Sequence, residues 1–191
     1  MARRVAWCVV LLVPVSAPAA PVPKGAGAAP VYFPTAVGAK WVYERDGRGD
    51  ETVVVAAVEK DGDALVVARE GTNGNATVYA KVVVSPAGLR QDRTGPDGSD
   101  VAVWLLKVGV RAGDSWDAAD GGKRTVHEAE KVVVPAGTFT AVRVVWEHEG
   151  GAQTSWYAPG VGEVKRVVKR GGDEVVTRAL KSFRPKAEPN E

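Results

Sequence analysis

The stretch Val132-Val133-Val134-Pro135-Ala136-Gly137-Thr138-Phe139-Thr140-Ala141-Val142-Arg143-Val144-Val145-Trp146 decides the fold class. Two β-branched runs flank a short turn. Proline supplies a fixed φ for a type I turn, and the glycine behind it accepts the positive φ that follows. Beyond the turn, Val142, Val144 and Trp146 point one way while Arg143 and Glu147 point the other, the period of a strand with one covered face. Valine is stiff at χ1 and packs better on a pleated surface than in a helix.

The same pattern repeats outward from this hairpin. Asp61-Gly62 lies between the runs Glu51–Glu59 and Ala64–Glu70 and predicts a two-residue hairpin with positive φ at both central positions, a type I′ turn. Asn73-Gly74 leads into Ala76–Val84. Gly171-Gly172 separates Glu163–Arg170 from Asp173–Phe183, and Pro159-Gly160 suits a type II turn. Arg124–Lys131 has a helix-friendly composition but runs straight into three valines, so it reads as a strand. Asp92–Asp100 and Arg111–Gly122 read as long polar loops. Val101–Leu106 is apolar on both faces and should be covered on both. Counting runs gives ten or eleven strands. The expectation is an all-β domain, an antiparallel, strongly curved sheet or partly closed barrel of about ten strands.

The chain has 191 residues, 45% of them apolar, enough for one domain that needs no disulfide or metal to fold. Residues 1–20 read as a secretory signal. Arg3 and Arg4 precede the apolar run Val5–Val15, and Ala17-Pro18-Ala19 offers a small-x-small cleavage site. The run is too short, and too interrupted by Pro14 and Pro18, for a membrane span, so no stable span is expected after cleavage. Residues 21–31 read as a Pro/Ala/Gly-rich tether, 32–183 as the β domain and 184–191 as a disordered tail.

The formal charge of +2 disappears with the signal, leaving 23 basic against 23 acidic residues. A neutral surface gives nucleic acid no long-range attraction, and none is expected as a partner. Cys8, the only cysteine, leaves with the signal too. It follows bulky Trp7 rather than closing the apolar run after a small residue, which argues against lipid attachment there.

Tyr32-Phe33-Pro34, Gly38 and Trp41-Val42-Tyr43 are followed, in order, by Gly113-Asp114-Ser115-Trp116, Val134-Pro135-Ala136-Gly137-Thr138-Phe139 and Trp156-Tyr157-Ala158-Pro159-Gly160-Val161-Gly162. Over Tyr32 to Arg170 this series resembles the TapB-like family of exported bacterial proteins of unknown function. The resemblance implies an antiparallel, partly closed barrel outside the cytoplasm: periplasmic, in the cell envelope, or secreted. It carries no catalytic residues.

The residues themselves offer little chemistry. His127 and His148 fall about four residues out of register across their hairpin, roughly 13 Å, too far to share a zinc ion. Asp92, Asp97 and Asp100 could converge on calcium, but their spacing matches no calcium loop, and aspartates also initiate turns. Nothing joins Ser155, His148 and Asp173 into a triad, and no serine sits in a Gly-x-Ser-x-Gly elbow. No catalytic residue, metal ligand or cofactor motif is therefore assigned. Lys165, Arg166, Lys169, Arg170, Arg178 and Lys181 read as a solvated sheet edge that resists pairing.

The aromatic residues are the remaining clue. Trp41, Tyr43, Trp104, Trp146, Trp156 and Tyr157 are candidates for a ligand-binding surface on the concave face, since such side chains join an apolar body to a polar tip. Core packing is the competing and stronger reading, since Trp41, Trp146 and Trp156 sit on the apolar faces of their strands. The expected function is a non-enzymatic exported domain that binds an apolar or amphipathic small molecule. A structural or interaction module that engages an envelope component is the alternative, and a hydrolase is less expected.

Overall fold

A computed structural model describes residues 31–73, 76–94 and 100–185. The expected signal, most of the expected tether and the last six residues lie outside them. Twelve strands form one antiparallel sheet: β1 (Lys40–Arg45), β2 (Gly49–Asp61), β3 (Ala64–Asn73), β4 (Ala76–Ser85), β5 (Gly88–Thr94), β6 (Asp100–Lys107), β7 (Ser115–Asp117), β8 (Lys123–Val134), β9 (Gly137–His148), β10 (Gly151–Ala158), β11 (Gly162–Arg170) and β12 (Asp173–Arg184). The order is β6-β5-β4-β3-β2-β1-β12-β11-β10-β9-β8-β7. Every neighbour is a chain neighbour except one pair, β1 beside β12, where the two ends of the domain meet.

The all-β class and the curved antiparallel sheet are as expected, with twelve strands in place of ten or eleven. Two of the extra boundaries fall in the segments expected to be loops. Arg111–Gly122 contains β7, and β5 and β6 extend into Asp92–Asp100 from both sides. Strand Arg124–Lys131 is confirmed inside β8.

Turn chemistry accounts for the hairpins. Arg170 pairs with Asp173, and Gly171 and Gly172 take φ of 59° and 101°, the positive pair that a type I′ turn needs. Asp61 pairs with Ala64, so the central residues are Gly62 and Asp63 rather than Asp61 and Gly62. Only Gly62 has positive φ (57°), which fits type II′ and corrects the type I′ expectation. Val161 N–H donates to Ala158 O at 3.1 Å across Pro159 and Gly160, whose φ is 71°, as a type II turn requires.

Two hairpins share one solution. Val82–Val84 before Pro86-Ala87-Gly88 matches Val132–Val134 before Pro135-Ala136-Gly137, and both glycines open the next strand with strongly positive φ. At Gly88 a Cβ would lie 2.1 Å from Leu106 O, so close strand approach demands glycine there.

The sheet curls until its edges nearly meet. β8 touches β11 and β12 across the interior, and Ala136 N–H at the β8–β9 tip donates to Leu180 O at 2.9 Å. Edge strands β6 and β7 share no backbone ladder. A side chain bridges them instead: the Trp116 indole N–H donates to Trp104 O at 3.3 Å. Lys107 Nζ sits between these two tryptophans, 5.9 Å and 5.5 Å from their ring centroids. This seam gives β6 part of its cover. Val103 and Leu106 are buried while Ala102 is exposed, so the expectation of cover on both faces holds for only part of the strand.

The core fills the middle of the curl, with Trp41, Val55, Val67, Val82, Leu89, Leu106, Val164 and Leu180 almost wholly buried. Trp41 is 1% exposed, its ring packed between Phe33 (5.2 Å) and Phe183 (5.5 Å) and its N–H donated to Val161 O at 2.7 Å. A buried indole that lacked that acceptor would cost free energy. In β9, Val144 is buried and Glu147 exposed, as the alternation predicts, but Ala141 on the opposite parity is fully buried as well. The bulge of β8 at His127–Glu128 bends this hairpin, whose tip is held against β12.

Candidate functional site

Along the inner face, side chains change from apolar to charged while the strand period stays the same. On β1 the inward series is Trp41, Tyr43, Arg45. On β2 it is Val55, Val53, Glu51, and on β3 it is Leu65, Val67, Arg69. β5 passes from Leu89 to Gln91, and β12 from Leu180 to Arg178. Register aligns these changes, because Trp41 faces Val53, Tyr43 faces Glu51 and Arg166 faces Arg178. One end of the curl is an apolar core, and the other is a nest of arginines.

At that charged end Glu163, 8% exposed, is the anchor. Arg166 grips its carboxylate with Nε to Oε1 and Nη2 to Oε2, both at 2.8 Å, and Arg178 Nη1 reaches Oε2 at 2.8 Å. Burial alone would raise the Glu163 pKa, but the charges of Arg166 and Arg178 and hydrogen bonds from Arg166 and Ser155 overcome it and hold it at about 2. Arg178 also lies 3.1 Å from Glu51 and stacks over the Tyr43 ring at 3.7 Å. Tyr43 donates its hydroxyl to Glu163 O at 2.9 Å, and burial pushes its pKa up to about 12. Burial does the same for Tyr157.

A cavity of about 230 Å³ opens beside this cluster, lined by Arg45, Glu51, Arg69, Arg166, Thr177 and Arg178 among others. Gly71 and Ala80 in its wall contribute no bulk. A second cavity, about 300 Å³, lies at the opposite end of the inner face. Val31, Tyr32, Leu65, Val84, Leu89 and Val108 make it largely apolar. A third, more open cleft of about 520 Å³ runs under the β6–β7 connection, between Val108–Ala112 and the β8 bulge.

The six aromatic candidates are not gathered around any of these three cavities. Trp41, Tyr43 and Tyr157 are buried in the core. Trp104 belongs to the seam. Trp146 donates to Gly121 O at 2.6 Å, stacks on His148 at 4.2 Å and carries Arg124 over its ring at 4.8 Å. Trp156 donates to Glu130 Oε1 at 2.6 Å, with Lys165 5.3 Å from its ring centroid.

The other chemical candidates are also dispersed. His127 lies in the bulge opposite Arg143, whereas His148 pairs with Gly151 at the far end of β9 and accepts from Gly150 N–H at 3.1 Å. Asp92 is paired with Arg90 at 2.9 Å, and Asp97 lies outside the described residues. Among the described residues no three His, Cys, Asp or Glu side chains come together as metal ligands.

The basic residues of the last strands need correcting. β11 and β12 are central strands, flanked on both sides, so they are not a sheet edge. Arg166 and Arg178 turn inward onto Glu163, and Lys181, the extra residue of a bulge in β12, pairs with Asp50 at 2.8 Å. Charge on both faces of these strands made them look like a solvated sheet edge. Parity could have revealed the site, since stepping by two from Trp41 reaches Arg45 and stepping by two from Val55 reaches Glu51.

Two solved structures share the fold. One is described as a candidate lipoprotein from Parabacteroides distasonis, with a TM-score of 0.58, 16% identity, and coverage of 82% of this chain and 99% of that one. The other is described as a candidate exported protein with a YmcC-like fold from Bacteroides fragilis, with a TM-score of 0.60, 14% identity, and coverage of 81% and 99%. At such identities the likeness shows the fold alone. No family model and no curated protein matches the chain.

Proposed function

We propose that this protein is an exported, non-enzymatic domain that holds a small apolar or amphipathic molecule in the cleft at the apolar end of its sheet. The observation that carries this reading is the cavity of about 300 Å³ walled by Leu65, Val84, Leu89 and Val108. Small-molecule sites are concave, mostly apolar and largely preformed. Export is supported by the signal-like residues 1–20 and by the descriptions of the two structural neighbours as candidate lipoprotein and exported protein. Kinship with the TapB-like family belongs to the same proposal and rests on the ordered aromatic and proline-glycine elements quoted above.

The test is titration of the mature domain with N-phenyl-1-naphthylamine, a neutral apolar dye. Saturable fluorescence enhancement is expected, and Val108→Trp, which fills the cleft, should weaken it at least tenfold. No enhancement, or an unchanged response in Val108→Trp, would contradict the reading. The alternative, an interaction module of the envelope, is favoured by the exposed Val133 near the tip of the β8–β9 hairpin (73% exposed).

A further inference from the structure

The charged end of the inner face holds more positive charge than its own carboxylates balance. Four guanidinium groups line the 230 Å³ cavity: Arg45, Arg69, Arg166 and Arg178. Among the described residues two carboxylates answer them. Glu163 takes Arg166 and Arg178, while Glu51 takes Arg178 at 3.1 Å and Arg45 at 3.8 Å. Among the described residues Arg69 has no carboxylate partner. Its Nη2 donates to the neutral Gln91 Oε1 at 3.0 Å, and burial together with the like charge of Arg178 lowers its pKa. Arginine cannot relieve such a position by losing its proton, so the charge persists.

A second, independent feature points into the same space. Arg166 pairs with Arg178 and Val167 with Val176, which leaves Thr177 as the extra residue of a bulge. The bulge lets adjacent residues Thr177 and Arg178 both line the cavity. Thr177 Oγ1 is buried without a hydrogen-bond partner, and Arg178 Nε is buried with an ion-pair contact but no hydrogen bond. Buried polar groups ordinarily find partners, so the orphaned Thr177 hydroxyl is open to a hydrogen bond with an occupant of the cavity.

We infer that this cavity is an anion site that takes a phosphate dianion, free or as a monoester, between Arg69, Arg166, Arg178 and Thr177. The excess of two positive charges matches a dianion. Each guanidinium carries five N–H donors, so those of Arg69, Arg166 and Arg178 not spent on Gln91, Glu163 and Glu51 remain for phosphate oxygens, and the threonine hydroxyl supplies one further donor. The cavity is several times the roughly 30 Å³ that one water occupies, so an ester group fits beside the phosphate. The site lies about four residues along β3 from the apolar cleft, from Leu65 to Arg69, roughly 13 Å. It therefore stands or falls separately from the function proposed above.

Calorimetric titration of the mature domain with inorganic phosphate, and separately with glycerol 1-phosphate, at constant ionic strength, tests the inference. Saturable binding of at least one is expected. Tighter glycerol phosphate identifies an esterified source such as a lipid or polymer headgroup, and tighter inorganic phosphate identifies the free ion. Arg69→Gln should weaken binding at least tenfold, Arg69→Lys less, and Thr177→Val a few-fold, while Arg48→Gln on an exposed turn should leave it unchanged. If Arg69→Gln does not fold, Arg69→Lys and Thr177→Val carry the test. Absence of saturable binding by both phosphates overturns the inference. So does binding within twofold of wild type in every folded Arg69 and Thr177 variant.

Discussion

The two ends of the inner face are built on the same strands with the same inward parity, yet they hold the protein together differently. At the apolar end, Trp41, Val55, Val67, Val82 and Leu180 are packed to near-complete burial. Stabilisation there comes from area removed from water and tolerates little loss of volume. At the charged end, burial is paid for by pairing, and each group depends on its partner's charge. The contrast teaches that a period-two pattern fixes which face a residue occupies but not whether that face is oily.

Substitution at each end sharpens the contrast. Trp41→Ala should cost the most, about 3–5 kcal/mol in urea denaturation, because it empties the space between Phe33 and Phe183 and orphans Val161 O. A cost under about 1 kcal/mol would mean that this end is loosely packed. Glu163→Gln should cost roughly 3 kcal/mol at neutral pH, since Arg166 and Arg178 lose their counter-charge. Arg166 is still 35% exposed and can turn toward water, so the lower part of the range for broken buried pairs applies.

The pH dependence follows the sign of the same shift. A carboxylate depressed from 4.5 to about 2 contributes stability above its unfolded pKa and loses it as pH falls through the folded value. Wild type should therefore lose stability between about pH 4.5 and 2, and Glu163→Gln should lack that part of the acid slope. The smallest effect is expected at the seam. Trp116→Phe removes one N–H donor to Trp104 O and should cost about 1 kcal/mol, with faster amide exchange confined to β6 and β7.

How much of this was legible depends on range along the chain. Hairpins were readable because proline-glycine and glycine-glycine turns are local chemistry, as at Pro135–Gly137 and Gly171-Gly172. The pairing of β1 with β12 was not, for it joins Lys40 to Arg184 with no local signal. That one long-range pairing takes β12 off the edge of the sheet, so the supposed charged edge is no edge, and its Arg166 and Arg178 form an inward cluster. The aromatic candidates illustrate the same limit. Parity placed Trp41 inward, but only the fold shows that Phe33 and Phe183 fill the space around it while Arg69 faces open volume.

The most direct test of the two-ended inner face is the titration of Glu163 itself, followed by the chemical shift of its side-chain carboxyl carbon in the protein lacking residues 1–20. A midpoint near 2 is predicted, because Arg166 and Arg178 hold the buried carboxylate ionised. A midpoint at or above the ordinary value of 4.5 would contradict the account, since the arginines would then not be turned inward on that carboxylate.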